Sequence, residues 1–105
     1  MGMPDSDIVV QRAREDLFRA TLDGHEVCRA SIAVGPGVWE FYSTVTAPRY
    51  EGQGIASRVV RFALEQARAA GVRVIPSCWY VSGLMDRHAP EFDDLRAPAV
   101  GTREQ

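Results

Sequence analysis

The stretch RYEGQGIASRVVRFAL, residues 49–64, places two glycines directly before a segment with helical periodicity. After Gly54, polar residues such as Arg58 and Glu65 fall on one side of this segment. The apolar residues that share its other side are Ile55, Val59, Phe62 or Ala63, Ala67 and Ala70. Gly71 follows as a C-terminal cap. The stretch therefore predicts a glycine turn that leads into the clearest helix of the chain.

The glycine turn is a candidate anion-binding site. The first N–H groups of a helix have no intrahelical partner, and the aligned peptide dipoles favour negative charge there. Glycine lets the backbone wrap closely around phosphate oxygens. The residues predicted to offer their N–H groups to a pyrophosphate are Gly52, Gln53, Gly54, Ile55, Ala56 and Ser57. Glycines also precede helices in simple tight turns, so this segment alone leaves both interpretations open.

The residues before the turn favour strands. Asp23 and Gly24 separate two alternating runs, near residues 17–22 and 26–34, and predict a hairpin. In the second run Cys28 lies on the same face as Ile32 and Val34, which predicts a core position for its thiol. GPG at residues 35–37 then turns the chain into VWEFYSTVT, a third strand whose aromatic residues are expected in the core. An antiparallel meander is the predicted result.

The residues after the helix predict a second kind of strand pairing. VRVIPSCWYV, residues 72–81, has a β-like composition, so strand, glycine turn, helix and strand form one β-α-β unit with parallel strands. Residues 82–95 are expected to give one short helix before Pro90 and then an irregular, acidic, solvated tail. The predicted fold class is α+β: an antiparallel meander that runs into one β-α-β unit, with a short C-terminal helix.

The glycine pattern also approximates the G-x-G-x-x-G of dinucleotide-binding folds, through Gly52, Gly54 and Ser57. That fold places the motif after its first strand and an acidic residue about 20 residues later. Here the motif follows the meander, and residues 72–80 contain no carboxylate. The dinucleotide interpretation therefore does not fit its context.

Composition limits the chemistry further. A chain of 105 residues is the size of one domain, with residues 1–7 and 97–105 expected to be frayed termini. A net charge of -2 argues against a nucleic-acid partner, and all 12 basic residues are Arg, which excludes lysine chemistry. Cys28 and Cys78 are too widely spaced to suggest a disulfide scaffold or a metal site. No apolar run reaches the roughly 20 residues of a membrane span, so a cytoplasmic protein without a membrane partner is expected.

The segment TVTAPRYEGQGIASRVVRFALEQARAAGVRVIPSCWYV, residues 44–81, resembles the acetyl-CoA-binding core of the GNAT acyltransferases. It is most similar to a very small subfamily that reads close to R-G-Q-G-I-A, then a helix, then P-x-C. The resemblance covers most of residues 17–88. It implies a minimal acetyl-CoA-dependent N-acetyltransferase that acetylates an unidentified amine. A non-catalytic CoA-binding or protein-interaction module is the alternative, and a homo-oligomer is possible in either case.

The resemblance also implies roles for particular residues. Val45 and Thr46 would line the pantetheine arm, and residues 52–57 would hold the phosphates, with Arg49 or Arg58 reaching one of them. Cys78 would lie near the thioester as an acyl acceptor or catalytic residue, and Tyr80 would donate a proton to the leaving thiolate. Both side chains could instead serve packing alone, and direct attack by the amine also stays open.

Two positions depart from the subfamily pattern. Glu51 stands where the family usually has Arg or Gln, and its charge opposes that of a pyrophosphate. Ala89 is inserted after His88, where the subfamily reads R-H-P-E. The first departure bears on coenzyme affinity and the second on any role of His88.

Overall fold

The computed structural model describes residues 7–98. Four strands form an antiparallel meander: β1 Ile8–Arg14, β2 Leu17–Leu22, β3 His25–Gly35 and β4 Val38–Thr46. Helix α1 (Ile55–Ala70) then connects β4 to β5 (Arg73–Pro76), which pairs with β4 in parallel. Helix α2 (Trp79–Arg87) follows, and one-turn 3-10 helices lie at Pro48–Tyr50 and Asp93–Leu95. The predicted α+β fold is confirmed; the expected frayed ends fall largely outside the described residues.

The predicted β2–β3 hairpin is confirmed at its turn. Asp23 (φ 52°) and Gly24 (φ 82°) both adopt left-handed backbone conformations, which match the twist of the two strands. Cys28 is 2% exposed and Ile32 is 1% exposed, as their shared face predicts. Val34 lies near the end of β3 and is 40% exposed, so the core does not extend to it.

A β-bulge interrupts the pairing of β3 with β4. Ser31 pairs with Ser43 and Ile32 pairs with Phe41, so Tyr42 is an extra residue in β4. Phe41 is buried before the bulge, as predicted for this aromatic run, whereas Tyr42 is exposed. The extra residue shifts the alternation of side chains along the second half of the strand.

Helix α1 packs one apolar stripe against the sheet. The buried residues of this stripe are Ile55, Val59, Val60, Ala63, Leu64 and Ala67. Each large aliphatic side chain in it stabilises the fold by about 1.5–3 kcal/mol relative to exposure. The helix ends as predicted at Gly71 (φ 73°), whose N–H donates to the carbonyls of Ala67 and Arg68.

The predicted β-like run over residues 72–81 is wrong beyond Pro76. The N–H of Ser77 turns back to the carbonyl of Ile75, and the carbonyl of Cys78 accepts the N–H of Ser82, which opens α2. The short C-terminal helix therefore begins at Trp79, earlier than residue 82. Its buried residues are Val81, Leu84 and Met85, whose spacing is helical. Burial of this apolar face overrides the β propensity of the run.

The acidic C-terminal segment is held against α1 and is not simply a solvated tail. Arg61 pairs with Glu91 at 2.9 Å, and Arg68 pairs with Asp94 at 2.8 Å. Both guanidinium groups lie over the ring of Phe92, which is fully buried. The N–H of Ala97 then donates to the carbonyl of β5 residue Val74. Among residues 7–98, no helix is both long and apolar enough to cross a membrane.

Candidate functional site

The parallel strands β4 and β5 separate at Phe41. Their pairing ends with Phe41 opposite Pro76, and the N–H of Cys78 donates to the carbonyl of Phe41 at 2.9 Å. Pro76 has no N–H to extend the ladder, so it suits a point where strands part. Residues 42–46 of β4 consequently pair with β3 on one side and have an open edge on the other.

The open edge of β4 presents the backbone groups of Thr44 and Thr46. The N–H of Ala47 donates to the carbonyl of Val27 in β3 at 2.9 Å. In an antiparallel ladder, alternate residues turn their N–H and C=O groups to opposite sides. The backbone groups of Thr44 and Thr46 therefore point away from β3. Such an edge can pair with an extended ligand that carries amide groups.

A groove of about 340 Å³ joins this open edge to the start of α1. The residues that line it are Thr44, Thr46, Tyr50, Glu51, Gly52, Gly54, Ile55, Ala56, Trp79 and Tyr80. Its volume lies within the range of small-molecule sites, which runs from about 300 to 1,000 Å³. One continuous surface thus connects the strand edge, the glycine turn and the beginning of α2.

The glycine turn offers backbone N–H groups without protein partners. Gly52 (φ 81°) and Gly54 (φ 80°) have left-handed backbones that strain other residues. No side chain caps α1 at Gly54, and its first helical bond runs from the N–H of Arg58. Within the described residues, the N–H groups of residues 52–57 donate no hydrogen bond. Such a helix start favours an anion.

The charges around the turn are mixed. Glu51 is exposed and lines the groove beside the two glycines. Arg49 lies over the ring of Tyr50, with 5.5 Å between the guanidinium carbon and the ring centroid. Gln53 donates from its side chain to the backbone carbonyl of Arg49. The turn therefore places an acidic residue in the lining of the groove and a guanidinium close to it.

Two thiols lie against the β4 hydroxyl groups that face the core side of the sheet. The Cys78 thiol donates to Oγ1 of Thr44 at 3.5 Å, and Oγ1 of Thr46 donates to Sγ of Cys28 at 3.4 Å. Burial raises the pKa of the Cys28 thiol, and the hydrogen bond from Thr46 opposes that rise. Cys78 is 8% exposed and lies behind Thr44, outside the residues that line the groove.

Two aromatic residues at the start of α2, Trp79 and Tyr80, also line the groove. Tyr80 is half-buried, whereas Trp79 is 82% exposed at the mouth of the groove. Their ring centroids lie 5.9 Å apart in an edge-to-face arrangement. The Tyr80 ring also contacts Arg87, whose guanidinium carbon lies 6.0 Å from the ring centroid. These contacts hold the phenol beside the groove.

The groove gathers some of the predicted residues and not others. Those that line it are Thr46, Gly52, Gly54, Ile55, Ala56 and Tyr80. Those outside its lining are Val45, Gln53, Ser57, Arg58 and Cys78. Val45 turns its side chain to the far face of the sheet, where it is 55% exposed. His88 ends α2 as an exposed residue and takes no part in the groove.

Sequence reasoning missed Thr44, Tyr50 and Trp79 as lining residues. Thr44 has no distinguishing motif, and the bulge that turns it inward leaves no clear pattern in the sequence. Trp79 was expected in a strand. Residues 7–98 contain no group of three or more His, Cys, Asp or Glu side chains that could hold a metal ion.

The fold and the groove together define a class of protein. An antiparallel meander, a glycine turn with unpaired N–H groups and two parallel strands that part beside it are the arrangement expected of a GNAT domain. The family model for GCN5-related N-acetyl-transferases matches residues 17–95. The chain therefore belongs to this family. No curated protein sequence matches the chain significantly.

Solved structures show the same fold at low identity. A GCN5-like protein of Staphylococcus aureus is 16% identical and has a TM-score of 0.68, with 88% of this chain and 90% of that chain covered. The ribosomal-protein-S18-alanine N-acetyltransferase of Escherichia coli is 15% identical, with a TM-score of 0.58 and coverage of 80% and 53%. A GNAT family acetyltransferase of Brucella melitensis, in complex with acetyl-CoA, is 21% identical, with a TM-score of 0.53 and coverage of 64% and 49%. The chain spans about half the length of the last two proteins.

Proposed function

We propose that the protein is an acetyl-CoA-dependent N-acetyltransferase that transfers an acetyl group to an amine not yet identified. The observation that carries this proposal is the row of unpaired N–H groups at residues 52–57, which opens into a groove along the free edge of β4. The groove leads towards Tyr80 and, behind Thr44, Cys78. A long ligand with an anionic group at one end and a reactive group at the other fits this order.

The diphosphate of the coenzyme would bind at the start of α1. Its oxygens would accept hydrogen bonds from the N–H groups of residues 52–57, where the helix dipole also favours negative charge. Arg49 lies next to Tyr50 at this end of the groove, and Arg58 lies in the first turn of α1. We propose that either guanidinium reaches a phosphate and offsets the charge of Glu51.

The pantetheine arm would lie along β4. Its amide groups would pair with the outward backbone groups of Thr44 and Thr46, in the way that an added strand pairs with a sheet edge. Val45 turns its backbone groups to β3 and its side chain to the far face, so the proposed contacts use its two neighbours. This placement carries the thioester towards the start of α2.

Transfer of the acetyl group needs a donor for the oxyanion and a proton for the leaving thiolate. Free N–H groups on the edge of β4 would serve the first purpose, and the Tyr80 hydroxyl the second. In the covalent route, the Cys78 sulfur bonds to the acetyl carbon and the bond to the CoA sulfur breaks. The thiol proton passes to CoA by way of the Tyr80 hydroxyl, which gives its own proton to CoA and takes the proton of Cys78. The amine nitrogen then bonds to the acetyl carbon, the bond to the Cys78 sulfur breaks, and the proton of the amine passes to that sulfur. In the direct route the amine attacks the CoA thioester itself.

Calorimetric titration with acetyl-CoA tests this proposal first, because both routes need the coenzyme bound. Incubation with labelled acetyl-CoA and a panel of spermidine, free lysine and a peptide with a free N-terminus then tests transfer. We expect binding and label in one class of amine. A large fall of the transfer rate in Cys78→Ala would support the covalent route, and an unchanged rate would support direct attack. If millimolar acetyl-CoA gave no heat of binding and did not compete with any other ligand for the groove, the proposal would be contradicted. An acetyl adduct on Cys78 in the intact mass would favour the covalent route.

A second candidate is a non-catalytic CoA-binding or protein-interaction module. The observation that favours it is Glu51, an acidic residue that lines the groove beside the proposed phosphate site. Binding of acetyl-CoA without transfer to any amine would support this candidate over the enzyme.

The proposed function also includes a cell compartment, a direction of approach for the amine and an oligomeric state. Cys28 and Cys78 are both free, which suits a reducing compartment, and we propose that the protein acts in the cytoplasm. Trp79 lines the groove and is 82% exposed, and we propose that the amine approaches from this side. A second copy of the chain could complete that side, and light scattering at several concentrations would detect the pair.

A further inference from the structure

The hydroxyl of Thr44, a residue that lines the groove, contacts the thiol of Cys78. Thr44 lines the groove, whereas Cys78 is 8% exposed and does not. The Cys78 thiol donates to Thr44 Oγ1 at 3.5 Å, and the structure gives its sulfur no other hydrogen-bond partner among residues 7–98. The sulfur of the other cysteine, Cys28, instead accepts a hydrogen bond from the hydroxyl of Thr46.

Both ends of this contact are fixed by the backbone. The bulge at Tyr42 turns Thr44 to the core side of the sheet. Cys78 is anchored to β4 through its N–H bond to the Phe41 carbonyl, and the preceding residue, Ser77, donates from its hydroxyl to Glu40. The distance between the hydroxyl and the sulfur therefore follows from the main chain and does not depend on a mobile loop.

We propose that Thr44 is a positioning residue for Cys78 in the acetyl transfer, and this inference rests on the function proposed above. A hydroxyl group can both accept and donate a hydrogen bond. Thr44 accepts from the thiol in the resting state and donates to the thiolate once the proton has left. It thereby holds the sulfur towards the thioester in the covalent route, in which the Cys78 sulfur gains the acetyl group and the thiol proton passes to CoA.

Alkylation of Cys78 tests the proposal without any acetyl transfer. In a Cys28→Ala background, iodoacetamide modifies one thiol, and intact mass follows its rate. Thr44→Val keeps the shape of the side chain but loses the hydroxyl, and Thr44→Ser restores a hydroxyl. We expect alkylation about tenfold slower in Thr44→Val and within about threefold of the parent in Thr44→Ser. An equal or faster rate in Thr44→Val would overturn the proposal, because Thr44 would then only cover the sulfur.

Thr21→Val is the matched control, since Thr21 is a buried threonine on β2 away from the groove. It makes the same chemical change and should leave the alkylation rate unaltered. Near-ultraviolet circular dichroism of all three variants checks that they keep the native packing. A slow rate in Thr21→Val as well would assign the effect to general packing and overturn the proposal.

The rate of acetyl transfer gives a second test, because the effects of substituting Thr44 and Cys78 should depend on each other. Thr44→Val should lower kcat about tenfold with little change in KM for acetyl-CoA, and should have no further effect in Cys78→Ala. A full additional loss in Cys78→Ala would show that Thr44 acts independently of the thiol and would overturn the proposal. If the parent protein transfers no acetyl group, the proposed function fails while the alkylation rates still decide the role of Thr44.

Discussion

The N–H of Cys78 donates to the carbonyl of Phe41 at 2.9 Å, at the point where β4 and β5 part. This bond ties the start of α2 to the middle of β4. Beyond it the edge of β4 is open, and the groove begins. The same pair of strands therefore supplies both the rigid base of the site and its opening.

Gly54 tests whether the glycine turn binds the coenzyme. An added Cβ at Gly54 meets no atom within 4 Å, but its φ of 80° strains any other residue. Gly54→Val should relieve this strain by moving the N–H groups of the turn, and calorimetry should show affinity for acetyl-CoA reduced at least about tenfold.

Gly37→Val is the matched control for that substitution. Gly37 has a similar φ of 72° and equally open surroundings, but lies in the β3–β4 turn. Both variants should lose about 1–2 kcal/mol of stability, whereas Gly37→Val alone should bind normally. Unchanged binding of acetyl-CoA in Gly54→Val would mean that the glycine turn only connects the strand to the helix.

Glu51 is predicted to weaken coenzyme binding. Glu51 lines the groove, where a bound diphosphate would add charge of the same sign. Glu51→Gln should tighten binding of acetyl-CoA about three- to tenfold at low ionic strength, and by less at high salt because ions screen the repulsion. Calorimetry at the two salt concentrations measures this difference. The exposed Glu15→Gln is the control, and an unaltered affinity in Glu51→Gln would place the carboxylate away from the bound phosphates.

Trp79 should report coenzyme binding by its fluorescence. It is 82% exposed at the mouth of the groove, whereas Trp39 is 5% exposed in the core. Coverage by the coenzyme should shift the emission to shorter wavelength, and Trp79→Phe should abolish the shift. A shift that persists in Trp79→Phe would come from Trp39 and contradict the proposed path of the ligand.

The contact of Arg68 with Asp94 predicts a pH-dependent stability. The hydrogen bond from Arg68 lowers the pKa of Asp94 below its usual value. A lowered pKa in the folded state stabilises the fold above the unfolded pKa, and this contribution is lost as the pH falls below about 4. Asp94→Asn should therefore lower Tm by a few degrees at pH 7, and this effect should shrink as the pH falls below about 4.

Asp93→Asn is the control for the ion pair, because Asp93 makes no ion pair within residues 7–98. Thermal unfolding followed by circular dichroism gives both values of Tm at each pH. An equal effect of Asp93→Asn, or an effect of Asp94→Asn that does not shrink as the pH falls below about 4, would assign the change to something other than the charge on Asp94.

The sequence was sufficient for elements with strong local patterns. The Asp23-Gly24 turn has a specific backbone preference, and α1 has a glycine at each end with an apolar stripe between them. The run over residues 72–81 was ambiguous, because its β-branched and aromatic residues suit a strand as well as a buried helix face. Only tertiary packing decided that Val81 and Leu84 would turn inward together.

The site was less predictable than the fold. Strict alternation from Phe41 would turn Ser43 and Val45 inward, but the extra residue Tyr42 turns Thr44 and Thr46 inward instead. A bulge depends on the pairing of two strands, so one strand's sequence does not reveal it. The thiol contact of Thr44 was invisible for the same reason.

The proposed function depends above all on hydrogen bonds from the N–H groups of residues 52–57 to a diphosphate. Amide NMR shifts measured with coenzyme A and with pantetheine, which lacks the diphosphate, test this claim most directly. We expect large changes at these amides with coenzyme A and small changes with pantetheine. Unchanged amide shifts at saturating coenzyme A, or equal changes with both ligands, would contradict it.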